Sequence, residues 1–240
     1  MLNTACLRNK RQPVESAVVQ MVSIMTRVYS ALLEEQMMDI FNQQVYGLKE
    51  SLIRSGYPML TTVSKDMNSD TIYEFPKDWQ NSSHHFKRSI KLGNTAIGTG
   101  HSNFLKGIIV QMDITAPQYW WQQAQRYHWF DIVSSQSKMH RILEMDLNDA
   151  FVAGQFSSAA LENAKVFIGL YKEEKCDFED VLDNLPMGLE YTAGISTNYL
   201  QLKTMYNQRR NHRLSQWQIF CDWCLTLPYF KELCGIKEDN

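Results

Sequence analysis

Residues 108–123, IIVQMDITAPQYWWQQ, change their period halfway along. Ile108, Val110, Met112 and Ile114 alternate with Gln111, Asp113 and Thr115, so one face is apolar and the other polar, the pattern of a half-buried strand. Pro117 then supplies a φ suited to the first helical turn, and QYWWQQAQRYHWF (118–130) reads as a helix that starts there. A strand that runs straight into a helix sits inside a chain otherwise dominated by helical spacing.

Working outward, GNTAIGTGHSNFLKG (93–107) is a Gly/Ser/Thr/Asn loop in which Ser102 or Asn103 caps a short helical turn. Val14, Ala17, Val18, Met21, Val22, Met25, Val28 and Leu32 recur at helical spacing after Pro13. A second helix is expected over residues 34–54, closed by Gly56 and Pro58. Residues 58–83 lack a period, apart from a short strand candidate, DTIYEF (70–75). Downstream, Ser134 or Ser135 caps SKMHRILEM (137–145), and Ser157 or Ser158 begins a helix that reaches Lys172. CDFEDVLDNL (176–185) is helical up to Pro186, and MGLEYTAGIST (187–197) is a second strand or an extended connection. Two long helices split near Arg213 and Ser215, and Pro228 starts a short last one. The expectation is α+β: one helix-rich mixed α/β domain, with residues 1–90 as an N-terminal helical extension continuous with a ligand-binding region at 91–240.

The 240 residues suit one large domain, and a 44% apolar content allows a sizeable core. A net charge of −2 argues against a nucleic-acid polymer as partner, though one local basic pocket is compatible with it. No apolar run approaches the ~20 residues of a membrane span. The five cysteines are scattered, which fits a reducing, cytoplasmic compartment. The CDWC at 221–224 has no second pair and lies in a helix, so it reads as structural.

Polar groups concentrate in two places. Tyr119, Gln122, Gln123 and Arg126 are spaced to share a helix face beside Trp120, Trp121 and Tyr127. Such a face either stacks on an aromatic ligand or packs the core. His128 is a proton-handling candidate or a satisfied polar residue, and Ser134, Ser135 and Ser137 offer a phosphate site or plain helix caps. A Ser137–His128–Asp131 nucleophile set exists in composition but lacks a strained elbow. In QLKTMYNQRRNHR (201–213), Lys203, Asn207 and Arg210 fall on one helical face, while Arg209, His212 and Arg213 crowd the C-terminal turn. That crowding is either an anion clamp or a response to the helix dipole.

GHSNFLKGIIVQMDITAP (100–117), QQAQRYHWFDIVSSQS (122–137), NLPMGLEYT (184–192), QLKTMYNQRRNHR (201–213) and LSQWQIF (214–220) stand in an order that resembles the flavin-dependent thymidylate synthase (ThyX) family. The resemblance covers roughly residues 98–225 and implies a homotetramer with sites between subunits. It also implies FAD reduced by NADPH, methylenetetrahydrofolate as carbon donor, and dUMP converted to dTMP without a cysteine nucleophile. Carried over by position, Gln123, Arg126, Ser137, Arg141, His212 and Arg213 would hold the nucleotide. Arg213 and Ser137 would stand closest to the chemistry. His101, Ser102, Arg126, His128, Lys203 and Asn207 would hold the cofactor.

The departures are specific. Tyr127 and His128 replace the His and the second Arg of the signature, and Ser137 meets its Ser only with a one-residue insertion, Gln136 falling there otherwise. Lys106 and Gly107 replace a Glu-His, and Leu182 stands where the family places an arginine that grips phosphate. Lys203, Arg209, Arg210 and Arg213 are the available substitute cations. The expectation is a diverged synthase, of a kind that suits a phage or a bacterium. The alternative is a non-catalytic nucleotide-binding homologue with a regulatory or interaction role.

Overall fold

A computed structural model describes residues 38–63, 84–148, 150 and 158–237. The elements are β1 (Asp39–Tyr46), α1 (Leu48–Arg54), α2 (His84–Gly93), β2 (Ile109–Pro117), α3 (Gln118–Ala124), β3 (Asp131–Ser135), α4 (Lys138–Arg141), α5 (Ser158–Lys172), α6 (Phe178–Asp183), β4 (Glu190–Asn198), α7 (Tyr199–Arg209), α8 (Ser215–Thr226) and α9 (Phe230–Cys234), with 3-10 turns at Tyr57–Met59 and Asn103–Gly107. The expected helices 14–32 and strand 70–75 lie outside the described residues.

β2 is the axis of an antiparallel sheet ordered β1-β2-β4-β3. Its alternation works as the sequence requires: Ile108, Val110, Met112 and Ile114 are buried, while Gln111 is exposed. Met112 pairs with Ile195 and Ile114 with Ala193 across β4, so both strands present one apolar face. That face is covered by α3, α7 and α8 through Trp120, Trp121, Tyr199, Leu202, Met205, Trp217 and Phe220, all fully buried. Trp120 stands edge-on to Trp121 with ring centres 5.0 Å apart, and the Trp121 indole N–H donates to the Ala116 carbonyl at 2.9 Å. The tryptophan pair is therefore core, and only the other flank of α3 is open to a ligand. A smaller apolar cluster joins α5 and α6 through Ile168 and Val181.

Four sequence expectations change. Residues 39–46 form a strand where a helix was expected over 34–54, and only 48–54 of that stretch is helical. Pairing with β2 satisfies its backbone and packs Met38, Ile40 and Val45 on the core, which outweighs local helical spacing. The helix after the β2 strand stops at Ala124, well short of Phe130, and Pro117 is its cap while still in the strand. Ser134 and Ser135 lie in β3 opposite Gly194 and Ala193, so the cap of α4 is Ser137. Helix α2 was not anticipated, although Phe86, Ser89 and Gly93 fall at helical intervals and are its buried positions. The expected turn at Asn103–Gly107, the helix from Ser158 to Lys172 and the break between α7 and α8 are all present.

Two glycines matter for the packing. Gly47, at φ +70°, turns β1 into α1, and a Cβ there would lie 2.4 Å from the Gly107 carbonyl oxygen. At Gly93 a Cβ would lie 1.8 Å from the Leu233 oxygen, so α2 and α9 meet backbone to backbone. Among the described residues, no helix is long and apolar enough to cross a membrane.

Candidate functional site

The C-terminal end of α7 brings Arg209 against the inner flank of α3. Its Nη1 donates to Gln123 Oε1 at 3.2 Å, and its Nε donates to the Tyr127 hydroxyl at 2.8 Å. The guanidinium carbon lies 4.7 Å from the centre of the Trp217 ring and 5.6 Å from that of Tyr127. Gln123 Oε1 also accepts from the Trp217 indole N–H at 3.1 Å. Gln123 and Arg209 each retain donors that make no bond among the described residues: the carboxamide Nε2 and the guanidinium Nη2. Nearby, Gln216 Nε2 donates to the Tyr119 hydroxyl at 2.7 Å.

His212 and Arg213, the expected nucleotide ligands, are placed differently. His212 Nδ1 accepts the Leu214 backbone N–H at 3.2 Å, and its ring stands edge-on to Trp217. Burial, then the Arg209 and Arg213 charges, hold its pKa below the ordinary histidine value, which weakens it as an anion clamp. Arg213 is exposed. The cation that meets Gln123 is Arg209, which sequence reasoning offered only as one of four substitutes.

At the other end of α3, a cleft of about 620 Å³ is lined by Gln118, Lys138, Met139, Leu182, Asp183 and Met187. The Lys138 ammonium donates to the Gln118 carboxamide oxygen and lies 5.8 Å from the Tyr191 ring centre. Burial lowers its pKa. Ser137, half-buried, is its neighbour in the chain. Arg141 is turned away: it is exposed and pairs with Glu144 at 3.2 Å. Sequence reasoning missed Lys138, although it is the first basic residue after Ser137 and shares its cleft with Leu182.

A second cleft, of about 420 Å³, is lined by Ser51, Arg54, Ser55, His101, Asn103 and Gly107. Ser51 is 1% exposed, yet its Oγ has no hydrogen-bond partner among the described residues. A buried hydroxyl of that kind is normally satisfied by a ligand or water. A Cβ on Gly107 would lie 2.3 Å from it, so only glycine leaves the space open. His101 is an exposed wall of this cleft, whereas Ser102 is 2% exposed and its carbonyl accepts the Leu105 N–H at 3.0 Å. Arg54 and Ser51 had no signal of their own, because their segment read as the tail of a helix.

Arg126 and His128 line a shallow cleft of about 440 Å³ with Asp131, and both are exposed. Because α3 ends at Ala124, Gln123 turns inward while Arg126 lies beyond the helix, so the two do not share a face as expected. Lys203 is 5% exposed, and its Nζ donates to the Gly93 and Thr95 carbonyls at 2.5 and 3.2 Å, which ties α7 to the end of α2 and commits the ammonium. Asn207 is exposed. Burial pushes the Cys221 thiol up to about 12 and raises Cys224 and Cys234 as well, so none is a ready thiolate. No group of three metal-ligating side chains occurs among the described residues.

No protein-family model and no curated protein matches the chain. Solved structures do. The flavin-dependent thymidylate synthase ThyX from Helicobacter pylori, complexed with FAD and dUMP, aligns at a TM-score of 0.63 and 12% identity, over 82% of this chain and 97% of that one. A further structure of Thymidylate Synthase X (ThyX) from the same organism, with FAD and dUMP, gives 0.62 and 14% over the same shares. At these identities the likeness is one of architecture: the chain has the α+β fold of the flavin-dependent thymidylate synthases.

Proposed function

We propose that the protein is a diverged flavin-dependent thymidylate synthase, which binds dUMP and methylates it reductively to dTMP with methylenetetrahydrofolate, FAD and NADPH. The observation that carries the reading is the Gln123–Arg209 pair held on Trp217 and Tyr127. A uracil ring has two carbonyl acceptors, and the uncommitted Gln123 Nε2 and Arg209 Nη2 are donors of matching polarity. The Trp217 indole and the Tyr127 phenol pack against the guanidinium and leave that edge half-buried. Lys138 and Gln118 would receive the phosphate, with Ser137 beside them, in a cleft where Leu182 adds no charge.

The residues around Ser51 suit a dinucleotide cofactor. Arg54 offers a fixed cation, His101 and Asn103 offer hydrogen bonds, and the orphaned Ser51 hydroxyl needs a partner. Arg126 and His128 are exposed where a second subunit of a homotetramer could bring its own cofactor within reach. When bound, the flavin supplies the hydride. The chain's part is to orient the pyrimidine and keep water away from it. The buried thiols fit a reaction without a cysteine nucleophile.

Leu182 favours a second reading, a nucleotide-binding homologue without catalysis, because a phosphate held by one lysine forgoes a bidentate clamp. One experiment separates the two. Purified protein is scanned for a flavin absorbance band, then assayed for dTMP from dUMP, methylenetetrahydrofolate and NADPH. Flavin uptake with turnover supports the synthase. Nucleotide binding with neither flavin nor NADPH oxidation supports the homologue, and binding of neither ligand removes both readings.

A further inference from the structure

We infer that Tyr127 is a positioning residue whose hydroxyl aims the Arg209 guanidinium at the ligand, an inference that rests on the reading of Arg209 as a nucleotide-binding group. A phenol oxygen carries one hydrogen, and here Tyr127 donates it to Gln208 Oε1 at 3.0 Å. Its lone pairs are therefore what Arg209 Nε meets at 2.8 Å. Nη1 is held by Gln123, whose Oε1 is itself pinned by the Trp217 N–H. Two bonds from one planar group, with the Trp217 face 4.7 Å from its central carbon, fix both the plane and the rotation of the guanidinium. The one nitrogen left without a bond among the described residues is Nη2, so the network selects which edge of Arg209 is presented.

The substitution Tyr127→Phe isolates the hydroxyl, because it keeps the ring that stands edge-on to Trp217 at 6.2 Å. The arginine Nε–H of Arg209 is followed by nitrogen-edited NMR and assigned through its loss in Arg209→Lys. In Tyr127→Phe its hydrogen exchange should accelerate by about tenfold or more, the scale of one charge-assisted bond. In parallel, dUMP affinity measured by calorimetry should fall about five- to tenfold with the melting temperature nearly unchanged, while deoxyuridine analogues lacking a base carbonyl lose less. Unchanged Nε–H exchange in Tyr127→Phe overturns the inference, and so does unchanged dUMP affinity in a protein that binds dUMP. If the unsubstituted protein takes up no dUMP, the nucleotide reading fails, and the exchange measurement alone decides whether Tyr127 fixes Arg209.

Discussion

Glu190 opens β4 with a half-buried carboxyl whose Oε1 has no hydrogen-bond partner among the described residues, and burial lifts its pKa to about 7. An acid whose folded pKa is raised holds its proton more tightly when folded. As pH rises from the ordinary carboxylate range towards 7, the unfolded chain ionises first, and stability falls across that window. Glu190→Gln should therefore unfold at higher urea than the wild type at pH 8, by about 1–2 kcal/mol once solvent screening is allowed for, and the gap should close at pH 4. Lys138 makes a different prediction, in binding. Lys138→Gln should weaken dUMP by about 1.5–3 kcal/mol while leaving deoxyuridine nearly unaffected, since only the former carries a phosphate. Leu182→Arg, in the same cleft, should strengthen dUMP relative to deoxyuridine; calorimetry with both ligands checks the pair.

Helix α7 sets the site because it carries Arg209 at its far end. Its start is fixed by Asn198, whose side-chain oxygen accepts the Gln201 N–H at 3.0 Å as β4 turns into helix. Asn198→Ala should cost about 1 kcal/mol in urea unfolding, the ordinary value of such a cap. Its other anchor is the Lys203 ammonium on the carbonyls that end α2, and α2 in turn touches α9 at Gly93. A methyl at Gly93 collides with backbone, which cannot rotate away as a side chain can. Gly93→Ala should therefore cost more than the ~1 kcal/mol that glycine-to-alanine normally returns in a helix, and thermal unfolding should show a lowered midpoint.

At the scale of the molecule, a polar outer sheet face and the exposed Arg126 and His128 bear on assembly. The proposed homotetramer predicts a light-scattering mass four times the 28.0 kDa protomer. A monomeric mass would leave Arg126 and His128 without a neighbour to serve. Among the described residues, the main apolar core instead lies on the face covered by α3, α7 and α8, where three tryptophans and Phe220 meet.

Local rules determined the alternation of β2, the break at Pro117, the short turn before β2 and the helix from Ser158 to Lys172, since each depends on neighbours within a few residues. The same rules could not choose a helix or a strand for residues 39–46, because the deciding bonds come from β2, some seventy residues away in sequence. Nor could they choose among Arg209, His212 and Arg213, which lie within one helical turn and its exit. That choice depends on where α7 ends and where the Trp217 ring stands. Lys138 prevailed over Arg141 for a similar reason: the end of β3 turns the first into the cleft and leaves the second in solvent. Periodicity reports which face of an element is apolar, whereas the direction of a long cationic side chain is set by partners that only the folded chain brings near.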